Sequence, residues 1–207
     1  MGNDYYIPTV FFTLFFVVDP LGLIPVFIAY LSGYEKKQRN VVILKAIIIS
    51  IILSAFFIFL GNRLLLYLGI SSGSFLVAGG ILLFLISVEM LFGKQSEIKM
   101  HTYSSGNKED VSVFPLAIPM LCGPGNIAAL LMFSSQNSGD IKKQILLLVI
   151  SVSVFLIALA VMFFSKVLER LLGETGISIF QRIIGLILSA MSVQFFINGL
   201  RSLKVIT

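Results

Sequence analysis

The chain has 207 residues, of which 57% are hydrophobic and only 12% are charged. Soluble domains are about half apolar and about one quarter charged, so this composition excludes soluble globular, disordered and disulfide-scaffold proteins and favours an integral membrane protein. The net charge is +5, and the charged residues lie between apolar runs, where they orient a membrane protein. No nucleic-acid partner is expected. One cysteine, Cys122, and one histidine, His101, exclude an intramolecular disulfide and a structural zinc site, and no metal or cofactor is predicted.

Six apolar stretches are long enough to cross a bilayer, which takes about 20 mostly apolar residues in a helix. They cover residues 7–31, 41–66, 70–92, 113–135, 143–166 and 177–200. An even number of spans places both termini on the same side of the membrane. The sequence therefore predicts an all-α integral membrane protein with six transmembrane helices.

The distribution of lysine and arginine predicts which side holds the termini. The side with the termini carries Arg63, Lys142, Lys143, Arg201 and Lys204. The opposite side carries Lys36, Lys37, Arg39, Lys45, Lys94, Lys99, Lys108, Lys166, Arg170 and Arg182. Basic residues concentrate on the cytoplasmic side, so both termini are predicted to be periplasmic or extracellular. The only long polar stretch, residues 94–112, is then a cytoplasmic linker loop.

The two halves of the chain show a weak internal repeat at a shift of 105 residues. The shift aligns Glu35 with Asp140, Gly80 with Gly185, Ser87 with Ser192, and Glu89 with Gln194. Each half contains three spans, so the second half enters the membrane in the opposite orientation to the first. We therefore predict a single membrane domain, 1–207, built from two inverted three-helix repeats, 1–93 and 113–207.

Prolines interrupt the first apolar stretch of each half. Pro20 and Pro25 lie in the first stretch, and Pro119 and Pro124 lie in the fourth. A proline inside a helix removes the hydrogen bond to the carbonyl group four residues earlier. The carbonyl groups predicted to lack a backbone partner include those of Phe16, Leu21, Pro115 and Met120. Irregular backbone at membrane depth persists only inside a protein or beside a watered cavity, so both helices are predicted to break near the bilayer midplane and to line a site.

Residues at the breaks indicate how each helix restarts. Asp19 is a favoured N-cap and Pro20 a favoured first helical residue, so together they are predicted to open a second half-helix. Gly123 would open the corresponding helix without a side-chain cap, which leaves N–H groups near Asn126 available to an anionic group. A zwitterion fits this pair, with its ammonium near Asp19 and its carboxylate at the second break. The predicted substrate-binding residues are Asp19, Pro20, Gly22, Pro25, Pro119, Gly123, Pro124, Gly125 and Asn126, with Glu89 and Gln194 as secondary positions.

Each of the ionisable or amide candidates also has a purely structural interpretation. An ionised carboxylate at the bilayer centre costs about 2.5–3.5 kcal/mol, which favours a function for Asp19, but a structural N-cap would also explain it. If Asp19 titrates, it would couple transport to protons. Glu89 lies near a helix end, where it can reach the lipid headgroups or pair with Lys94. Gln194 can form a hydrogen bond between helices.

Three short motifs resemble those of the MarC family of prokaryotic integral membrane proteins. They are the run from Asp19 to Pro25 (DPLGLIP), the run from Pro115 to Pro119 (PLAIP) and the run from Gly123 to Gly125 (GPG). The resemblance spans essentially the whole chain and implies a six-span inner-membrane protein. Some members of the family are described as neutral amino acid transporters, and the group is placed near the LysE exporters. Cys122 and Asn126 depart from the small apolar residues that the resemblance leads us to expect.

These observations predict a secondary transporter of small neutral amino acids in the cell inner membrane. Its expected partners are the substrate, a coupling proton or sodium ion and the lipid bilayer, and a homo-oligomer is compatible with the sequence. No enzymatic activity is expected, because only Asp19 is a deep carboxylate and the one possible histidine base, His101, lies in a loop. No phosphate-binding loop for ATP occurs in the chain. A channel or a non-transporting membrane scaffold is the alternative.

Overall fold

The computed structural model describes residues 3–31, 33–92, 112–137 and 139–205. Most of these residues are helical, and none of them forms a β-strand. The helices are α1 Asn3–Val18, α2 Ile24–Leu31, α3 Lys36–Tyr67, α4 Ser72–Phe92, a π-helix (π1) Ser112–Leu121, α5 Pro124–Gln136, α6 Ile141–Phe163 and α7 Ser165–Ser202. The predicted linker loop, 94–112, lies outside the described residues except for its last position, and so does His101.

Within the described residues, four helices are long and apolar enough to cross a bilayer: α3, α4, α6 and the Thr175–Ser202 part of α7. They coincide with the second, third, fifth and sixth predicted stretches. The first and fourth predicted stretches each contain two shorter helices, α1 with α2 and π1 with α5. The prediction of an all-helical membrane protein is therefore confirmed, and the interrupted stretches are those with paired prolines.

Local sequence explains where several helices begin and bend. The N–H of Ser74 donates to Ser71 Oγ at 3.0 Å, which caps α4. The N–H of Lys142 donates to Asp140 Oδ1 at 3.1 Å, which caps α6. Glu35 occupies the corresponding N-cap position of α3 without a side-chain hydrogen bond. Gly173 has a φ of 63°, in the left-handed region that glycine tolerates, and it separates a short first segment of α7 from the long one.

Helices α4 and α7 run antiparallel and form the most extensive helix pair. Their backbones approach closely at two glycines. A Cβ atom built on Gly80 would lie 2.9 Å from the carbonyl oxygen of Ser192, and one built on Gly185 would lie 3.1 Å from that of Ser87. Small residues permit this approach between membrane helices. The two contacts are reciprocal, because the shift of 105 residues converts one into the other.

The interrupted helices pack mainly against the opposite half of the chain. Helix α5 contacts α3 and α4, whereas α1 contacts α6, and α2 contacts α7. Helices α3 and α6 also contact each other. Buried apolar side chains fill the space between these helices, and the largest fully buried ones include Leu14, Phe27, Leu83 and Phe155. The two halves therefore share one core.

Two long-range hydrogen bonds define the ends of the bundle. Asn137 Nδ2 donates to the hydroxyl oxygen of Tyr6 at 2.8 Å, so α1 begins where α5 ends. We call this the Arg63 end, because α3 also finishes there. At the opposite end, the Arg39 end, Arg39 Nη2 donates to the carbonyl oxygen of Phe163 at 3.4 Å. A Cβ atom on Gly199 would lie 2.9 Å from the carbonyl oxygen of Gly73, so α7 also finishes at the Arg63 end.

Candidate functional site

The first break is a compact turn between α1 and α2. Asp19 has a φ of 45°, a left-handed conformation that aspartate tolerates better than most residues. The N–H of Asp19 donates to the carbonyl oxygen of Phe15 at 3.0 Å, and the N–H of Leu23 donates to that of Asp19 at 3.2 Å. The N–H of Gly22 donates to Asp19 Oδ1 at 3.1 Å. The carboxylate therefore closes the turn that begins at Asp19.

Two predictions about this break need correction. The second half-helix begins at Ile24 and not at Pro20, because the left-handed Asp19 turns the chain through residues 20–23 before helical geometry resumes. The carbonyl group of Leu21, predicted to lack a backbone partner, accepts a hydrogen bond from the N–H of Ile24 at 3.1 Å. The turn thus satisfies a group that a simple proline kink would leave unpaired.

The carboxylate of Asp19 faces the protein interior, with only 8% of the residue exposed. Gly22 leaves the space for it, because a Cβ atom there would overlap Asp19 Oδ2 and lie 2.9 Å from Gln181 Nε2. Gln181 Nε2 also donates to the carbonyl oxygen of Gly22 at 3.2 Å. Sequence reasoning missed Gln181 of α7. The only indication in the sequence is that Gln181 places an amide near the start of the apolar stretch 177–200.

The second break separates π1 from α5. The N–H of Cys122 donates to the carbonyl oxygen of Ala117 at 2.8 Å, which ends π1. Gly123 is the N-cap of α5, with no side-chain hydrogen bond to the helix, and Pro124 is its first residue. The N–H of Ile127 donates to the carbonyl oxygen of Gly123 at 3.0 Å. The predicted restart at Gly123 without a side-chain cap is confirmed.

Asn126 carries the least satisfied polar group at this break. The residue is 2% exposed, and its Nδ2 donates to the carbonyl oxygen of Leu121 at 3.3 Å. Its Oδ1 has no hydrogen-bond partner among the described residues. An unpaired buried polar group costs about 1–3 kcal/mol. The thiol of Cys122, also buried, lies nearby, with its Sγ 3.9 Å from Ser54 Oγ of α3.

The two breaks approach each other inside the bundle. A Cβ atom built on Gly125 would lie 3.3 Å from Cγ1 of Val17, two residues before Asp19. The same atom would lie 2.7 Å from Cδ2 of Leu83 in α4. Apolar side chains therefore cover the Gly125 side of the α5 N-terminus, where the sequence predicted open approach by a ligand. Access to this side requires Val17 and Leu83 to move.

Most of the remaining predicted site residues lie at the bundle surface. Pro25, Pro119 and Pro124 are exposed, whereas Pro20 is buried next to Asp19. Glu89 is also exposed, as its headgroup interpretation requires. Gln194 Nε2 donates to Asn198 Oδ1 at 2.9 Å. Asn198 lies one turn further along the same helix, so this hydrogen bond lies within α7 and not between helices as predicted.

A pocket of about 490 Å³ with several polar side chains in its lining opens at the Arg63 end. Its polar lining includes Asn62, Arg63, Ser72, Ser135 and Gln144. Leu76, Leu131 and Met132 are buried and line an adjoining space that shares Ser72 and Ser135 with it. Leu131 fits against Gly61, where a Cβ atom would overlap Cδ2 of Leu131. Apolar packing therefore separates this pocket from the second break along α5.

Comparison with known proteins identifies the family. The model of the MarC family integral membrane proteins matches residues 5–204. A UPF0056 membrane protein of Methanocaldococcus jannaschii is 36% identical over 97% of this chain and 98% of its own length. A relative in Escherichia coli, the UPF0056 inner membrane protein YhgN, is 33% identical over 91% of this chain and 92% of its own length. No solved structure matches the chain. The chain therefore belongs to the MarC family of integral membrane proteins.

Proposed function

We propose that this protein is a secondary transporter of small neutral amino acids in the cell inner membrane. Its membership of an integral membrane family and its four apolar helices support a multi-pass protein. The name of the relative YhgN, an inner membrane protein, supports the location. Helix α1 begins and α7 ends at the Arg63 end, and we assign this end to the periplasmic side because the opposite side carries more lysine and arginine.

Six spans in two inverted repeats are part of this proposal. The reciprocal approach of Gly80 to Ser192 and of Gly185 to Ser87 supports a pseudo-two-fold relation between the halves. The exchange of interrupted helices between the halves supports the same relation. Because each half depends on the other for packing, residues 1–207 act as one domain. Inverted repeats with discontinuous helices are an architecture of secondary transporters.

The observation that carries the proposal is the meeting of two interrupted helices inside the bundle. Val17 and Gly125 bring the breaks together, and Asp19 is the only buried carboxylate among the residues whose burial the structure describes. In transporters of this architecture, substrate and coupling ions bind where discontinuous helices end. The pocket at the Arg63 end is the approach from the periplasm, and apolar packing around Leu131 closes it in this conformation.

The two breaks have different roles in the proposed cycle. The N-terminus of α5, at Gly123 to Asn126, binds the substrate carboxylate through its N–H groups and its partial positive charge. Asp19 supplies the negative charge for a coupling proton or sodium ion. Because Gly22 has no side chain, it leaves room for that carboxylate within the turn.

The proposal is tested by counterflow of labelled glycine, alanine and serine in vesicles containing the purified protein. We expect saturable counterflow and accumulation driven by a proton or sodium gradient. Asp19→Asn keeps an oxygen for Gly22 N–H but loses the charge, so it should abolish gradient-driven flux while membrane insertion stays intact. Asp140→Asn is the matched control, because Asp140 also caps a helix but is not buried.

Three results would count against the proposal. Flux that does not saturate and shows no counterflow would favour a channel. Absence of flux for every amino acid tested would favour a scaffold. Unchanged gradient-driven flux in Asp19→Asn would remove Asp19 from the coupling step.

A further inference from the structure

The N-terminus of α5 presents donors without a side-chain cap. Gly123 precedes the helix and has no side chain, and Pro124 has no N–H. The next N–H groups, those of Gly125 and Asn126, belong to the first helical turn, which carries the partial positive charge of a 13-residue helix. By itself this end favours an anionic group.

A second feature at the same place requires a donor. Asn126 is 2% exposed, and its Oδ1 has no partner among the residues that the structure describes. The orientation of the amide follows from its other contact, because Nδ2 donates to the carbonyl oxygen of Leu121. Exchanging the two amide atoms would place two oxygens against each other. The group left over is therefore an acceptor.

The two requirements together favour a ligand with both a donor and an acceptor over a lone ion. A lone anion would satisfy the helix N-terminus but would face the unpaired oxygen of Asn126. A lone cation would satisfy that oxygen but would sit at the positive end of α5. A zwitterionic ligand that carries an anionic acceptor group and a cationic donor group on the same carbon atom satisfies both. The α-carboxylate and α-ammonium of an amino acid are such a pair.

We propose that Asn126 is the ammonium ligand of the substrate and thus distinguishes an amino acid from a carboxylic acid. The ammonium donates to Asn126 Oδ1, while the carboxylate accepts from the N–H groups of Gly125 and Asn126. This assignment rests on the proposed transport function for its substrate class. It moves the ammonium from Asp19, whose Oδ1 already accepts from Gly22, to the second break. Asp19 keeps the coupling role that the proposed function gives it.

The test compares alanine with propionate, which has the carboxylate but no amine. Binding of labelled alanine to the purified protein in detergent is measured, and propionate is used as a competitor. Asn126→Leu has a similar size but no acceptor. It should weaken alanine binding at least tenfold and change propionate competition less than twofold. Asn198→Leu is the matched control, because the oxygen of Asn198 already accepts from Gln194 in α7.

Equal alanine binding in the wild type and Asn126→Leu would overturn the assignment while leaving the transport proposal intact. Equal weakening of alanine and propionate would also overturn it, because the loss would then be one of packing. If the wild type binds no amino acid, both proposals fail. If Asn126→Leu does not fold, as judged by its thermal unfolding, Asn126→Ser is measured instead. It should show an intermediate loss specific to alanine, and an unchanged ratio of alanine to propionate binding would contradict the proposal.

Discussion

The two breaks occupy related places in the chain but differ in what they leave unsatisfied. At the first, Asp19 folds back on Gly22, and Gln181 supports the turn from another helix. At the second, Gly123 offers no side chain to α5, and Asn126 retains an unpaired oxygen among the described residues. The comparison teaches that similar backbone interruptions have different chemistry. At the first break the carboxylate bonds to the turn itself, whereas the second break retains polar groups that a ligand can bind.

The contact between α4 and α7, which we call the seam, is symmetric between the two halves, unlike the two breaks. Substitutions in the seam should have the largest effects on stability. A Cβ atom on Gly80 or Gly185 would crowd backbone atoms of the opposite helix, which have little room to shift. We expect Gly80→Ala and Gly185→Ala each to lower the free energy of unfolding in detergent by about 1–3 kcal/mol. Because the contacts are reciprocal, the two losses should be similar.

Gly33→Ala is the control for the seam, because no atom lies within 4 Å of the position where its Cβ would be. It should leave the free energy of unfolding unchanged. A large loss in only one of the two seam variants would contradict the reciprocal packing of the halves.

Substitutions at the breaks should have unequal effects on stability. Asp19→Ala removes the acceptor for Gly22 N–H, so it should cost about 1 kcal/mol, as the loss of a helix or turn cap usually does. Asn126→Leu removes the Nδ2 hydrogen bond to Leu121, but it also removes an oxygen that has no partner among the described residues, so without ligand it should cost less stability than Asp19→Ala. Both are measured by thermal or denaturant unfolding in the same detergent.

Asp19→Asn keeps the acceptor at the first break and should retain most of the stability that Asp19→Ala loses. Equal losses of stability in Asp19→Ala and Asn126→Leu would contradict the expected difference between the two breaks.

Much of the fold follows from local sequence patterns. The apolar stretches predicted the positions of the helices, and Gly123 with Pro124 predicted the start of α5. These predictions succeed because the length of an apolar stretch and the position of a proline determine helix boundaries locally, without contacts to other segments. The shift of 105 residues also aligned Glu35 with Asp140, and both prove to be N-cap positions.

The details that could not be predicted depend on contacts between segments or on backbone choices that proline leaves open. Gln181 lies about 160 residues from Gly22, and only the packing of α2 against α7 brings them together. Proline forbids one hydrogen bond but does not specify the left-handed Asp19 or the π-helical geometry before Cys122. The absence of a hydrogen-bond partner for Asn126 Oδ1 among the described residues likewise depends on where the neighbouring residues lie.

The central claim is that the second break binds substrate, and alkylation of Cys122 tests it most directly. This residue is the only cysteine in the chain, it is fully buried, and it is four positions before Asn126 in the same break. In vesicles, N-ethylmaleimide should label Cys122 as the transporter opens, and saturating alanine should slow labelling at least fivefold, whereas glutamate should not. A thiol that never reacts, or one whose labelling rate alanine leaves unchanged, would contradict a substrate site at this break.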